Sequence, residues 1–331
     1  MKKKGKISYA KYGYIFCIPF VVAWLIFALY PTLYTIIIGF TDLKGVNTQT
    51  WHFLKGNIFE NYKTIITNKT FRIAFFNTFK IWICNFIPQI FLALFLAAVF
   101  TNARMKIPCI GTFKVLFYMP NIITASTVAI LFAALFGYPM GPVNNLLQRL
   151  GFIKDPVYFL NSKKVACNIV IFIQTWMWYG YTMINMISGI LGISPDIFEA
   201  ADIDGANGWQ VFWKITVPSI KTIVLFTLVT SLIGGLTMFD IPQLFILNGG
   251  PDNATITTSV FIYGQAFKGS YMYNRASAAS MIMFLIIVGL SAVIFFLLRD
   301  KDEVEMKKLK KQALKDEKLA KQLATVEGVT E

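Results

Sequence analysis

Residues 199–218 read EAADIDGANGWQVFWKITVP and lie between two long apolar runs. A short helix is expected to begin at Ser194 or Pro195, because acidic residues follow in its first turns, where the helix dipole favours them. Gly205 is expected to end this helix, since glycine adopts the backbone of a sharp turn without steric cost. A second short helix follows and is closed by Pro218. The stretch therefore predicts a stiff helical hairpin.

The composition around this hairpin is typical of a membrane protein. The chain has 331 residues, of which 56% are hydrophobic and only 15% are charged, whereas about a quarter are charged in a soluble domain. One soluble core could not bury so much apolar surface, but a lipid bilayer can cover it. The net charge of +14 comes largely from lysines in the tails and between the apolar runs. Basic cytoplasmic segments explain this charge, and no nucleic-acid partner is expected.

Six apolar runs are long enough to cross a bilayer, which takes about 20 helical residues. They occupy roughly residues 12–40, 73–101, 109–136, 165–190, 222–247 and 277–298. Six crossings place both termini on one side, and the distribution of lysine and arginine assigns that side to the cytoplasm. We therefore predict an all-α polytopic protein with a six-helix transmembrane domain at 12–298. The basic tail 1–11 and the charged tail 299–331 are then cytoplasmic.

The reactive side chains form no catalytic or metal-binding pattern. Cys17, Cys84, Cys109 and Cys167 lie within or beside apolar stretches without a CxxC pair, so we interpret them as small hydrophobic residues. His52 is the sole histidine in the sequence, which leaves a histidine triad or a zinc site without further ligands. We expect no catalytic residue, no metal and no cofactor.

The hairpin sequence resembles the EAA loop of binding-protein-dependent ABC importer permeases. The resemblance rests on Glu-Ala-Ala, then Asp-Gly-Ala, then a hydrophobic residue and a proline, between the fourth and fifth crossings. It implies that the first helix of the loop at 193–221 docks in a cleft of a separate ATPase subunit and transmits its closure to the pore. The coupling residues implied are Glu199, Ala200, Ala201, Asp202, Asp204, Gly205, Ala206, Phe212 and Pro218.

Further stretches resemble sugar permeases, and the last two resemble the F-like subunit of the maltose, lactose and glycerol-3-phosphate importers. They are Tyr30-Pro31, Gly39-Phe40-Thr41-Asp42, Asn77-Thr78, Phe239-Asp240 and Asn248-Gly249-Gly250-Pro251. The resemblance implies the MetI-like permease fold, a second homologous permease subunit, two copies of the ATPase subunit, an extracellular substrate-binding protein and a carbohydrate substrate. The large outer domain of the maltose F subunit is absent from this sequence, so the contacts with a binding protein must differ.

Two crossings carry side chains suited to sugars, which proteins bind with aromatic faces, amides and carboxylates. The fourth crossing offers Trp178 and Asn185 among others, and Asp240 in the fifth is costly at membrane depth unless it faces water or a partner. Together with the resemblance to the maltose F subunit, this gives a substrate pathway of Gln174, Trp176, Tyr179, Gly180, Met183, Leu236, Phe239, Asp240 and Gln243. Packing or interfacial roles stay open for the aromatic residues, and a structural or gating role stays open for Asp240.

The sequence favours a pathway subunit over an enzyme. It contains no GxxxxGK[ST] phosphate-binding loop, so ATP hydrolysis is expected on a separate chain. The alternative is a secondary transporter or channel that acts alone. Such proteins usually show internal repeats or several intramembrane charges. Here no convincing repeat is found, and the intramembrane charges are Lys80 and Asp240.

Overall fold

The structure, a computed structural model, describes residues 10–298 except 47, 49, 103–104, 247–248 and 270, together with 309–310, 312–313 and 315. Most of the two predicted tails lies outside these residues. The described residues form helices joined by loops. Thr41 and Phe53 form an isolated antiparallel β-bridge. The predicted all-α class is therefore confirmed.

Fifteen α-helical segments are assigned within the described part of the chain. They are α1 (Ala10–Trp24), α2 (Tyr30–Ile38), α3 (Glu60–Thr67), α4 (Lys69–Thr101), α5 (Ile110–Ile122), α6 (Ala125–Leu135), α7 (Pro142–Arg149), α8 (Lys163–Leu191), α9 (Pro195–Ile203), α10 (Gly208–Val211), α11 (Val217–Ser219), α12 (Lys221–Leu236), α13 (Asp240–Leu244), α14 (Thr258–Phe267) and α15 (Tyr273–Leu298). Wide π turns at Leu25–Leu29 and Phe212–Thr216 join α1 to α2 and α10 to α11.

Four stretches of the described chain are long and apolar enough to cross a membrane. They are Lys11–Ile38, Lys69–Thr101, Lys221–Leu244 and Tyr273–Leu298. The pair α5 and α6 adds a fifth if it is counted as one broken span. The count is thus four or five, and the six crossings with cytoplasmic termini stay a prediction.

The predicted third crossing is bent. The run 109–136 forms α5 and α6, which meet at an angle of 89°. Pro120 lies near the end of α5, where a proline removes a helical hydrogen bond. Thr124 then has an extended backbone, and its hydroxyl accepts a hydrogen bond from the main-chain N–H of Thr127 at 3.3 Å. This N-cap starts a new helix in a new direction.

The predicted fourth crossing is a single long helix that is too polar to qualify as a lipid-covered span. Helix α8 has 29 residues, which corresponds to a length of about 43 Å. It is nevertheless absent from the candidate spans, because asparagine, glutamine, threonine and tyrosine side chains lower its mean hydropathy. A helix of this composition needs protein or water against part of its surface.

Both π turns precede a proline. The main-chain N–H of Tyr30 donates to the carbonyl of Leu25, and Pro31 follows. In the same way the N–H of Val217 donates to the carbonyl of Phe212, and Pro218 follows. A proline has no N–H and its ring crowds the carbonyl four residues earlier, so the wider turn relieves that contact.

The described residues fall into two compact units. The first lies within 1–85, 123–174 and 234–288, and the second lies within 86–122, 175–233 and 289–331. In the first unit a buried cluster contains Ile65, Phe71, Ala74, Ile256, Val260, Phe261, Ala278 and Ala279. In the second unit the buried cluster contains Ala93, Leu94, Leu96, Ala97, Phe100, Tyr179, Met183, Met186, Ile187, Ile190 and Ile220. The predicted boundaries at 12 and 298 stay a prediction.

Two buried asparagines stabilise the irregular chain after α2 in the first unit. The Nδ2 group of Asn61 donates to the carbonyls of Gly39 at 3.0 Å and Thr41 at 2.9 Å. Asn274 Nδ2 donates to the carbonyl of Thr41 at 3.3 Å and to Asn61 Oδ1 at 3.2 Å. The two amides therefore donate to main-chain carbonyls that lack a helical N–H partner. These bonds hold the end of α2 against the first turns of α3 and α15.

Candidate functional site

The first arm of the hairpin is α9, which begins where the sequence predicts. Ser194 is the N-cap with an extended backbone, and Pro195 occupies the first helical turn. The hydroxyl of Ser194 donates to Asp196 Oδ2 at 3.1 Å and makes no hydrogen bond to the helix backbone. Asp196 lies in the first turn, where its charge complements the helix dipole.

The turn after α9 is a Schellman motif. The main-chain N–H of Ala206 donates to the carbonyl of Ala201 at 2.9 Å, and that of Gly205 donates to Asp202 at 3.1 Å. Gly205 has a φ of +73°, and a Cβ built on it would contact nothing within 4 Å. The glycine is thus required for its left-handed backbone and not for space. The predicted sharp turn is confirmed.

The second arm begins with a capping box that the sequence reading missed. The Asn207 side chain accepts from the main-chain N–H of Gln210 at 2.9 Å, and the Gln210 side chain accepts from the N–H of Asn207 at 2.9 Å. The signal was present as Asn-x-x-Gln directly after the glycine turn. The arm itself is α10, the π turn and α11 in succession, where one regular helix was expected.

The two arms are anchored by one face and exposed on the other. Phe198 and Phe212 are half-buried against the core cluster of the second unit, and Ala201 is buried. On the outside Ile203 is 87% exposed and Trp209 is 72% exposed. Both side chains are therefore free to contact another protein.

Most of the remaining predicted coupling residues are also exposed. Those exposed are Glu199, Ala200, Asp202, Asp204, Gly205 and Pro218, and Ala206 is half-exposed. The carboxylates make the surface acidic, so a basic and apolar partner surface would complement it.

The helices that enter and leave the hairpin approach each other closely. A Cβ built on Gly189 in α8 would lie 2.5 Å from Ile223 Cδ1 and 3.2 Å from Ile220 Cγ2. Ile220 is buried at the junction of α11 and α12. Helices α8 and α12 are therefore in direct contact next to the hairpin.

Four predicted pathway residues lie within the core of the second unit. Tyr179 is 8% exposed, and Met183 is fully buried. The Tyr179 ring contacts the Phe117 ring edge-on at 6.2 Å. A Cβ on Gly180 would collide with the carbonyl of Phe117. Trp176 is half-buried against the same cluster. Contact with a sugar stays a prediction here, and it would need this packing to open.

The other five predicted pathway residues belong to the first unit. Gln174 is buried, and its Nε2 donates to the sulfur of Met238 at 3.7 Å. The ring of Phe239 contacts the ring of Tyr263 at 5.1 Å. Asp240 is exposed, and its place in the substrate pathway stays a prediction. Leu236 and Gln243 are buried.

A break between α12 and α13 separates Leu236 from Asp240. Pro242 has no N–H to donate to the carbonyl of Met238 four residues earlier. Two threonines at the start of α14 supply donors, with Thr257 Oγ1 bonded to the Met238 carbonyl at 2.9 Å and Thr258 Oγ1 to the Leu236 carbonyl at 3.4 Å. The unwound backbone is thus satisfied by protein, as membrane depth requires.

The glycine motif follows in an extended loop. Gly249 and Gly250 have φ of +80° and +69°, and Asn248 lies outside the described residues. Asp252 forms an ion pair with Lys163 at the start of α8. The hydrogen bond and the charge of Lys163 lower the pKa of the exposed Asp252 carboxyl from its ordinary value. No group of three metal-ligating side chains occurs in the part of the chain that the structure describes.

Comparison with known proteins identifies the family of this chain. Residues 65–301 match the family model described as "Binding-protein-dependent transport system inner membrane component". The chain is 31% identical over 290 residues to the lactose transport system permease protein LacF of Rhizobium radiobacter, covering 87% of this chain and 94% of LacF. It is 30% identical to the multiple sugar-binding transport system permease protein MsmF of Streptococcus mutans, covering 90% and 99%.

Solved structures share the fold. A chain from the crystal structure of a bacterial ABC transporter involved in the import of the acidic polysaccharide alginate superimposes with a TM-score of 0.75. The match covers 86% of this chain and 94% of the other, at 24% sequence identity. The two chains therefore share their fold.

Proposed function

Because the chain belongs to the family of binding-protein-dependent transport system inner membrane components, we propose that it is the membrane permease subunit of an ATP-driven sugar importer. Its relatives include permeases named for lactose, multiple-sugar and arabinooligosaccharide transport. The chain is a pathway subunit of the cell membrane and not an enzyme, and the ATPase is a separate chain. The observation that carries the proposal is the hairpin at 194–218, with its rigid turn and exposed outer surface.

The hairpin receives the mechanical input. Its acidic and apolar outer surface, with Ile203 and Trp209 the most exposed apolar side chains, docks on the ATPase. Closure of the ATPase pushes α9, and the packing of Gly189 against Ile220 carries the displacement into α8 and α12. The transport cavity then opens alternately to the two sides of the membrane.

The remaining partners are a second, homologous permease subunit, two ATPase copies and an extracellular binding protein. Polar α8 supports a second subunit, since its surface needs protein or water beyond what lipid provides. The alginate importer was solved in complex with an alginate pentasaccharide-bound periplasmic protein. A secondary transporter or channel acting alone is not favoured, because the chain belongs to a family of binding-protein-dependent transport components.

Reconstitution in proteoliposomes tests the function. The chain is purified together with the second permease subunit, the ATPase and the binding protein. Uptake of labelled lactose and arabinooligosaccharides is then measured. Uptake is expected to need both ATP inside and the binding protein outside. An ATPase variant that cannot hydrolyse ATP is the control. Uptake by the chain alone, without ATP, would contradict the proposal.

A further inference from the structure

Two buried polar atoms of the second unit have no hydrogen-bond partner within the described part of the chain. They are Asn185 Nδ2 in α8 and Thr227 Oγ1 in α12. Thr227 is 3% exposed. The hydroxyl of Thr230 in the same helix donates to a carbonyl one turn earlier, but the Thr227 hydroxyl makes no such bond among the described residues. Buried amides and hydroxyls are costly without a partner, so each atom is expected to have one.

The two atoms lie on facing rows of α8 and α12. A Cβ built on Gly189 would lie 2.5 Å from Ile223 Cδ1, so these two positions are in contact. Asn185 is four residues before Gly189, and Thr227 is four residues after Ile223. A step of four residues keeps a side chain on the same face of a helix and moves it by about 6 Å along the axis.

The direction of the two helices brings these positions level. Helix α8 runs into the hairpin and α12 runs out of it, so one turn back on α8 and one turn forward on α12 both lead away from the hairpin. The next contact, from Gln174 Nε2 to the sulfur of Met238 at 3.7 Å, lies 15 residues farther along each strand of chain, from 189 to 174 and from 223 to 238. Equal steps on both sides place Asn185 opposite Thr227.

We propose that Asn185 Nδ2 and Thr227 Oγ1 hold one buried water molecule that bridges α8 and α12. The two atoms do not bond each other, and a water oxygen can accept from the amide while it shares a hydrogen bond with the hydroxyl. No charged residue occurs between Lys164 and Asp196 or between Lys221 and Asp240. The site therefore has no counter-charge for an ion, and a neutral ligand suits it.

A bridging water suits a joint between helices that move. Gly189 and Ile223 pack directly, whereas a water can keep both polar groups paired when the distance between them changes. We assign the bridge this role beside the hairpin, so that α8 and α12 shift without leaving the Asn185 amide or the Thr227 hydroxyl unpaired. This role rests on the proposed function, but the water site does not.

A double-variant cycle tests whether the two groups share a partner. Asn185→Leu and Thr227→Val each remove one polar group at similar volume, and each should lower the melting temperature of the purified complex by about 2–6 °C. The double variant should lower it by less than the sum, because no polar group is then left unpaired. Asn185→Leu with Thr230→Val is the control and should be additive, since Thr230 bonds within α12. Additive shifts for Asn185→Leu and Thr227→Val would overturn the proposal.

Cryo-electron microscopy of the complex distinguishes a water from a direct bond. In a map that shows ordered water, a peak should lie about 2.7–3.2 Å from both Asn185 Nδ2 and Thr227 Oγ1, and the double variant should lose it. A direct bond between the two atoms, or a side chain of another subunit between them, would overturn the water site.

ATP-driven uptake of lactose tests the role in movement. The double variant should keep the KM of the wild type and lower the maximal rate about two- to tenfold, because the site acts on the helices and not on the sugar. An unchanged maximal rate would overturn the role. A wild-type complex that imports no sugar with ATP would contradict the proposed function, while the map and the melting temperatures still decide the water site.

Discussion

Thr257 Oγ1 donates a 2.9 Å hydrogen bond to the main-chain carbonyl of Met238, the acceptor that Pro242 leaves without a helical donor. The threonine belongs to the start of α14, and the carbonyl belongs to the break between α12 and α13. The proline and the threonine therefore act together: the first opens the span, and the second makes the opening compatible with a low-dielectric surrounding.

The Thr257→Val variant should destabilise the complex by about 1–3 kcal/mol, because it leaves a buried carbonyl unpaired. Thr230→Val in α12 is the matched control, since the Thr230 hydroxyl only adds to the carbonyl of Phe226 within its own helix. The melting temperature of the purified complex measures both variants. Equal melting temperatures for the two would show that the Met238 carbonyl finds another donor.

Two neighbouring glycines in α12 should respond differently to alanine. A Cβ on Gly235 would collide with the indole of Trp82, whereas a Cβ on Gly234 would meet nothing within 4 Å. Gly235→Ala should cost about 1–3 kcal/mol through overpacking, and Gly234→Ala should be neutral or stabilising because alanine favours the helix. The melting temperature and the expression level of the two variants are the measurements. A Gly235→Ala variant with unchanged stability would contradict the close packing of Gly235 against Trp82.

In the hairpin, Gly205→Ala should weaken ATPase docking and uptake. Its φ of +73° costs a residue with a Cβ about 1–2 kcal/mol, so the turn between the arms is destabilised. Gly208→Ala, also without neighbours within 4 Å but outside the left-handed region, is the control and should leave coupling intact. Gly205→Asn should recover part of the function, because asparagine tolerates this backbone. Co-purification with the ATPase and ATP-driven uptake are the measurements.

Asp240→Ala should lower uptake while the complex still assembles. The carboxylate is exposed at the start of α13, so its removal leaves no buried partner unpaired, and a carboxylate at membrane depth is costly unless it serves water or a partner. Asp252→Ala is the control, since it removes an exposed carboxylate outside the candidate spans. Uptake kinetics that are unchanged in Asp240→Ala would remove this residue from the pathway.

The Asp252–Lys163 ion pair should give a small stability contribution that depends on acid pH. Lys163 lowers the pKa of the Asp252 carboxyl in the folded chain below its ordinary value of 3.8. The contribution is therefore fully present above pH 3.8 and is lost as the pH falls through the lower, folded-state pKa. The difference in melting temperature between wild type and Lys163→Met should disappear below that range. A difference that persists there would show a role for Lys163 beyond the ion pair.

The hairpin could be predicted because its determinants are local. Pro195 starts α9 and Gly205 ends it, and neither needs a distant residue to do so. The π turn at Phe212–Thr216 escaped prediction, since the balance between a wide turn and a kinked α-turn before Pro218 depends on small differences in packing.

The spans were harder for two different reasons. Hydropathy is continuous over 109–136 and contains no information about a bend of 89°, although Pro120 and the Thr124 cap were visible in the sequence. On α8 the resemblance identified positions such as Tyr179. A sequence motif locates a residue along the chain, but it does not show which side chains that residue contacts. Only the packing of Phe117 and Met183 around Tyr179 shows which face is covered.

The π turn ahead of Pro218 sets the rotation of α10 relative to α12. A π turn holds one residue more than an α-turn, so its conversion to α geometry would rotate α10 by about 100° relative to α12 and advance it by about 1.5 Å. Trp209 and Trp213 would turn with α10 and the start of the wide turn, while the capping box of Asn207 and Gln210 stays intact. That conversion would also bring the Pro218 ring back against the carbonyl of Lys214, so the wide turn holds the second arm in one orientation.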